Sequence, residues 1–148
     1  MKILVTGNLG YIGSVLVPYL QKDGYDVFGF DVGYYKDNLV TEIDNLDNQI
    51  LKDLRDVNEK DLANVDTIVH LASLSNDPLG AFNPELTNQI NNLCTIKLAR
   101  LAKKTGVKRF IYASSQSMYG ISNTSQELDE DKSIKNPITA YAKTKWNS

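Results

Sequence analysis

The stretch Lys2-Ile3-Leu4-Val5-Thr6-Gly7-Asn8-Leu9-Gly10-Tyr11-Ile12-Gly13 decides the fold. Lys2 to Thr6 is an apolar, β-branched run of strand length, and a helical apolar pattern follows directly, from about Tyr11 to Asp23, with Gly24 as its stop. Between them, Gly7 suits a tight turn, Gly10 lets the backbone approach a pyrophosphate, and Gly13 permits close packing of helix on strand. The helix N-terminus would face the negative charge. The residues alone also fit a glycine-rich turn with no ligand; a strand before and a helix after favour the phosphate cradle.

Working outward, three further strand-like runs occur at Asp26 to Phe30, Thr67 to Leu71 and Arg109 to Ala113, with a weaker one at Gln49 to Lys52. The clearest helical pattern runs from Pro84 to Lys104, with apolar residues at Leu86, Ile90, Leu93, Cys94, Leu98, Leu101 and Ala102. Asn83 is its expected N-cap, Lys103 and Lys104 suit its C-terminal dipole, and Gly106 suits its stop. Strands alternating with helices, and strands apolar along their length, predict a doubly wound α/β fold with a parallel sheet covered on both faces. Ligands of such sheets bind at the carboxyl ends of the strands, where the strand order reverses.

The second run ends at Asp31, the distance after the glycines at which an acid accepts hydrogen bonds from an adenosine ribose. A carboxylate there repels a 2′-phosphate, so NAD is favoured over NADP, with Lys36 nearby as the opposing feature. A solvated strand-end Asp is the alternative.

At 148 residues the chain has room for one domain with a proper core, and residues 1–148 are read as a single unit. A net charge of -2 without a basic block argues against nucleic acid. One cysteine, Cys94, excludes an internal disulfide, and no cysteine or histidine pair has metal-ligand spacing. The leading apolar run is too short for a signal-peptide core and no stretch is long enough to span a bilayer, so no membrane association is expected, and the lone cysteine suits a reducing, cytoplasmic location.

With these residues in place, the sequence resembles the extended short-chain dehydrogenase/reductase family of NAD-dependent sugar-nucleotide epimerases, dehydratases, decarboxylases and reductases, over the whole chain. The resemblance implies a Rossmann fold with Gly7, Gly10, Tyr11, Ile12 and Gly13 at the cofactor and Asp53-Leu54 at its adenine. The backbone of Leu71-Ala72-Ser73, after His70, would line the cofactor, with Asn91 beside it. Read on their own, His70 also fits a strand-end histidine satisfied by its neighbours, and Asn91 a solvent-facing side chain.

Ser115, in Ser114-Ser115-Gln116-Ser117-Met118-Tyr119-Gly120, matches the family's catalytic hydroxyl, although a polar turn after a strand explains the serines equally well. Tyr141 and Lys145 match the family's Tyr-x-x-x-Lys pair and fall one turn apart on a helix face, behind Asn136-Pro137. Tyr141 would remove a sugar hydroxyl proton while a hydride passes to the nicotinamide, giving a transient keto-sugar. Lys145 would favour the phenolate and bind the nicotinamide ribose, and Ser115 would hold the reacting oxygen.

Family dehydratases place an acidic pair where this chain has Gln116 and Ser117, so an epimerase or ketose reductase acting on a nucleotide sugar fits better. The sequence stops at Ser148, before two further strands and the substrate domain of the family, and a fragment of a longer chain is expected. A homodimer through the Pro84 to Lys104 helix and the Tyr141 helix is also expected. The competing readings are a non-catalytic NAD-binding module and an inactive fragment.

Overall fold

Strand β1 (Lys2–Thr6) sends Ile3 and Val5 to one side and Leu4 to the other, and all three are buried, which requires cover on both faces. The structure is a computed structural model describing residues 1–43, 48–122, 125 and 127–148. Four more strands join β1: β2 (Asp26–Asp31), β3 (Gln49–Leu51), β4 (Thr67–His70) and β5 (Arg109–Tyr112). All run parallel in the order β3-β2-β1-β4-β5, with Val5 opposite Gly29 on one side and Val69 on the other. This is the expected doubly wound α/β Rossmann arrangement.

The helices are α1 (Tyr11–Lys22), α2 (Asp77–Phe82), α3 (Pro84–Asn88), α4 (Cys94–Thr105) and α5 (Ala140–Asn147). Short 3-10 turns occur at Leu54–Asp56, Glu59–Leu62 and Gln116–Tyr119. The described residues form two compact units, one comprising Met1–Ser73 and Cys94–Ala113, the other Leu74–Leu93 and Ser114–Ser148.

In the first unit the two sheet faces carry separate cores. Leu4, Phe30 and Ile68 pack with Leu98 and Ala102 of α4 and with Leu54, Val57 and Leu62, whereas Ile3, Val5 and Val27 pack with Val17 of α1. Fully burying one such side chain contributes about 2 kcal/mol, so these alternating residues fix strand register. Gly24 and Gly106 take the left-handed conformation just past α1 and α4, as their spacing predicts.

In the second unit, Asn83 caps α3 by accepting the Leu86 N–H at 3.0 Å. The expected single helix from Pro84 to Lys104 is instead three successive segments, α3, a wider π turn at Gln89–Leu93, and α4. Asn91 lies in that turn, buried, its amide occupied by the Leu74 backbone. Helix α5 starts at Thr139, whose hydroxyl accepts the Ala142 N–H at 3.1 Å, and packs against α2, α3 and the π turn. Among the described residues no helix is long and apolar enough to cross a membrane.

Candidate functional site

In the first unit the connections from β1 and β4 leave in opposite directions across the sheet, so their carboxyl ends bound the switch point. The glycine loop leaves β1 there. Gly7 has φ +73°, donates its N–H to the Phe30 carbonyl at 2.8 Å, and would place a Cβ 2.6 Å from the Ala72 nitrogen. Any side chain at Gly7 would therefore strain the backbone and push on the Leu71-Ala72 segment. At Gly13 a Cβ would come within 2.5 Å of Asn8 Cα, which lets α1 start directly against the loop.

Gly10 is the N-cap of α1 and supplies no side-chain acceptor, and the first turn, with Tyr11 and Ile12 exposed, holds no acid. The positive end of a twelve-residue helix is thus left open to an anion. Asp31, ending β2, accepts the Leu9 N–H at 3.1 Å on one carboxylate oxygen and the Gly33 N–H at 2.8 Å on the other. Each oxygen keeps a lone pair for a further donor.

Past β4 come Leu71, Ala72 and Ser73, and the buried Ser73 hydroxyl makes no hydrogen bond to the described residues. An orphaned hydroxyl, a cradle with no room for Cβ atoms and an uncapped helix start together fit the diphosphate and ribose of a dinucleotide. Asp53 caps the turn Leu54–Asp56, and its carboxylate receives the Arg55 guanidinium at 2.7 and 3.0 Å. That hydrogen-bonded guanidinium holds the Asp53 carboxyl below its ordinary pKa. The Leu54 side chain is part of the core, leaving its backbone as the surface a ligand could meet.

His70 is buried between two hydroxyls, Nδ1 2.6 Å from Thr6 Oγ1 and Nε2 2.8 Å from Thr95 Oγ1, and stacks on Tyr112. Both ring nitrogens are engaged, the structural alternative its position at a strand end allows. Among the described residues no cluster of three His, Cys, Asp or Glu side chains is placed to hold a metal ion.

In the second unit, Ser115 caps the turn Gln116–Tyr119, its oxygen accepting the Ser117 N–H at 3.2 Å and lying 3.1 Å from Ser117 Oγ. Gly120 closes the turn at φ +70°, with the Asn136 carbonyl occupying the space a Cβ would need. Helix α5 packs against this turn.

Tyr141 and Lys145 share a face of α5, with Lys145 Nζ 6.0 Å from the Tyr141 ring centroid. Lys145 is 5% exposed, and burial lowers its pKa from 10.5 to about 8. It therefore keeps its charge at neutral pH and sits within reach of losing it. Asn91 is 1% exposed; its Oδ1 accepts the Leu74 N–H at 2.8 Å, and its amide donates to the Leu74 carbonyl at 3.1 Å and Thr144 Oγ1 at 3.3 Å. Its side chain thus positions the Leu74 loop and α5 relative to each other.

Several supporting residues escape sequence reasoning. Asn8 pairs with Gln49, 41 positions away, and Thr139 donates to Asp77 at 2.6 Å. Gly80 on α2 lies directly against Tyr141, where a Cβ would be 3.2 Å from the Tyr141 nitrogen. The Asn76-Asp77-Pro78 run carries a readable helix-start signal, and Asn76 does cap α2.

The chain matches the family described as "NAD dependent epimerase/dehydratase family" over residues 3–147. It is 32% identical over 139 residues to UDP-glucuronic acid decarboxylase 1 of Xenopus tropicalis, covering 93% of this chain and 32% of that protein. Among solved structures it is similar to a UDP-N-acetylglucosamine 4-epimerase from Methanobrevibacter ruminantium M1 in complex with UDP-N-acetylmuramic acid. That likeness has TM-score 0.87 and 32% identity over 98% of this chain and 47% of the other. It is also similar to DesIV, a dTDP-glucose 4,6-dehydratase from Streptomyces venezuelae with NAD and TYD bound, at TM-score 0.86 and 28% identity over 99% and 49% of the two chains. The chain spans about half the length of the first curated relatives it matches. The parallel sheet with its glycine loop at the switch point, and a family match running almost end to end, establish that this chain belongs to the NAD-dependent epimerase/dehydratase family.

Proposed function

We propose that this chain is the cofactor-binding and proton-handling part of an NAD-dependent enzyme of epimerase or ketose-reductase type that modifies the sugar of a nucleotide sugar. The observation that carries the proposal is Lys145, an ammonium buried on α5 beside the Tyr141 ring with its pKa brought down to about 8. Burying a charge lowers stability, and a desolvated lysine beside a phenol is an arrangement suited to proton transfer near neutral pH.

NAD would be held at its diphosphate by Gly7, Gly10, Tyr11, Ile12 and Gly13, at its adenosine ribose by Asp31, and at its adenine by Asp53 and Leu54. Leu71, Ala72 and Ser73 would line its middle, with the buried Asn91 beside the site holding the Leu74 loop, and Tyr141 and Lys145 would bind the nicotinamide ribose. When bound, it supplies the acceptor for a hydride from a sugar carbon. Tyr141 takes the proton of the hydroxyl on that carbon, leaving a keto-sugar. Ser115 Oγ donates a hydrogen bond to the oxygen as it becomes a carbonyl, and Lys145 lies on the same face of α5 as Tyr141. Gln116 and Ser117 offer no carboxylic acid to expel water from a neighbouring carbon, which favours epimerisation or reduction over dehydration.

NAD is preferred over NADP because Asp31 repels a 2′-phosphate. A second copy of the chain is the expected partner, joined through the helices around Pro84 to Lys104 and Tyr141, and the cytoplasm is the expected compartment. The test is incubation with NAD and a panel of UDP- and dTDP-sugars, with products separated by chromatography. Conversion of at least one sugar, abolished in Tyr141→Phe while NAD still binds, is the expected result. Undiminished turnover in Tyr141→Phe would remove the proton-transfer assignment.

A further inference from the structure

The glycine loop is held from below by a pair of amides. Asn8 is 1% exposed, and its Nδ2 donates to Gln49 Oε1 at 2.6 Å while Gln49 Nε2 donates back to Asn8 Oδ1 at 3.2 Å and to the Ile50 carbonyl at 3.1 Å. The pair lies over Gly29 of β2, the register partner of Gln49, and any Cβ there would collide with both side chains. A glycine inside a strand weakens the strand, and here it makes room for the amides.

Three successive loop residues are tied to three different anchors. The Gly7 N–H goes to the Phe30 carbonyl, the Asn8 side chain to Gln49, and the Leu9 N–H to Asp31. Of these, only the Asn8 tie reaches β3, the strand that leads to Asp53. The pair therefore couples the loop to the segment proposed for the adenine.

We infer that the Asn8–Gln49 amide pair is a positioning device that sets cofactor affinity by holding the glycine loop in its binding geometry before the ligand arrives. The inference rests on the reading that this loop cradles a dinucleotide diphosphate. Backbone N–H groups recognise phosphate only when several point at one place, and a loop released from one anchor must be ordered on binding, at a cost in affinity. Neither amide needs to touch the ligand.

The test is a double-mutant cycle of Asn8→Ala and Gln49→Met, with affinities for NAD and for ADP-ribose measured by calorimetry well below each variant's melting temperature. ADP-ribose carries the diphosphate and both riboses without the nicotinamide ring, so a loss shared by the two ligands does not arise at that ring. Each single change is expected to weaken both ligands about tenfold, the scale of one lost buried hydrogen-bonded pair, and the double variant no more than the worse single one. A purely structural role would lower the melting temperature and leave the affinity of the folded protein unchanged. Folded Gln49→Met binding both ligands like the unaltered protein, or losses that multiply in the double variant, would overturn the inference. If Asn8→Ala does not fold, Gln49→Met decides alone. Failure of the unaltered protein to bind either ligand would instead bring down the cofactor reading, and this inference with it.

Discussion

Replacing Lys145 by Met keeps the length of the side chain and removes its charge, and it should make the protein more stable at neutral pH. Burial lowers the Lys145 pKa from 10.5 to about 8, and each pKa unit corresponds to about 1.4 kcal/mol. Holding the ammonium inside the fold below pH 8 thus costs about 3 kcal/mol, less whatever its remaining polar contacts return. The sign follows from proton counting. The folded pKa lies below the unfolded one, so between about 8 and 10.5 the unfolded chain binds the extra proton, and stability rises with pH across that window. Between roughly pH 7 and roughly pH 9.5 the unaltered protein should therefore gain about 2 kcal/mol relative to Lys145→Met. Burial raises the Cys94 thiol pKa, so that group loses stability as pH rises past its ordinary value of 9.0, but it contributes equally to both proteins and cancels in the difference. Urea unfolding followed by circular dichroism and by the fluorescence of Trp146, the single tryptophan, gives the two curves. Parallel pH dependences, with Lys145→Met no more stable near neutrality, would refute the desolvated-lysine argument.

Three further outcomes are expected. NADP should bind at least about tenfold more weakly than NAD, and Asp31→Ser should narrow the gap, measured by titration with each reduced coenzyme; equal affinities in the unaltered protein would remove the ribose assignment. Gly7→Ala should destabilise by about 2 kcal/mol or more and weaken NAD binding, because a side chain at φ +73° meets the Ala72 backbone; an unchanged denaturation midpoint would contradict this. His70→Phe should cost about 2 kcal/mol by leaving Thr6 and Thr95 hydroxyls buried without their shared partner, while NAD affinity at low temperature stays as it was. A large loss of affinity there would give His70 a part in binding.

The strands were legible because their chemistry is local. Ile3, Leu4 and Val5 are apolar whichever face they meet, and even the short run at Gln49 appears as β3. The ends of the first helix and of the Pro84 helix were legible from Gly24, Asn83 and Gly106 for the same reason. The π turn at Gln89–Leu93 was not, because one extra residue in a turn hardly disturbs an apolar stripe, and the Leu74 backbone that the Asn91 amide in this turn holds is seventeen positions away. The Asn8–Gln49 pair was equally hidden, since nothing in either neighbourhood announces a partner on another strand. The glycines could be assigned mechanical roles from spacing, whereas the burial that lowers the Lys145 pKa emerges only when α5 is packed.

The proposed function requires the glycine loop and the Tyr141–Lys145 helix each to respond to NAD. Hydrogen–deuterium exchange of the protein with and without NAD tests it most directly. Slowed exchange in both the Gly7 to Gly13 loop and α5 is the predicted result; protection of the loop with α5 unaffected would contradict it.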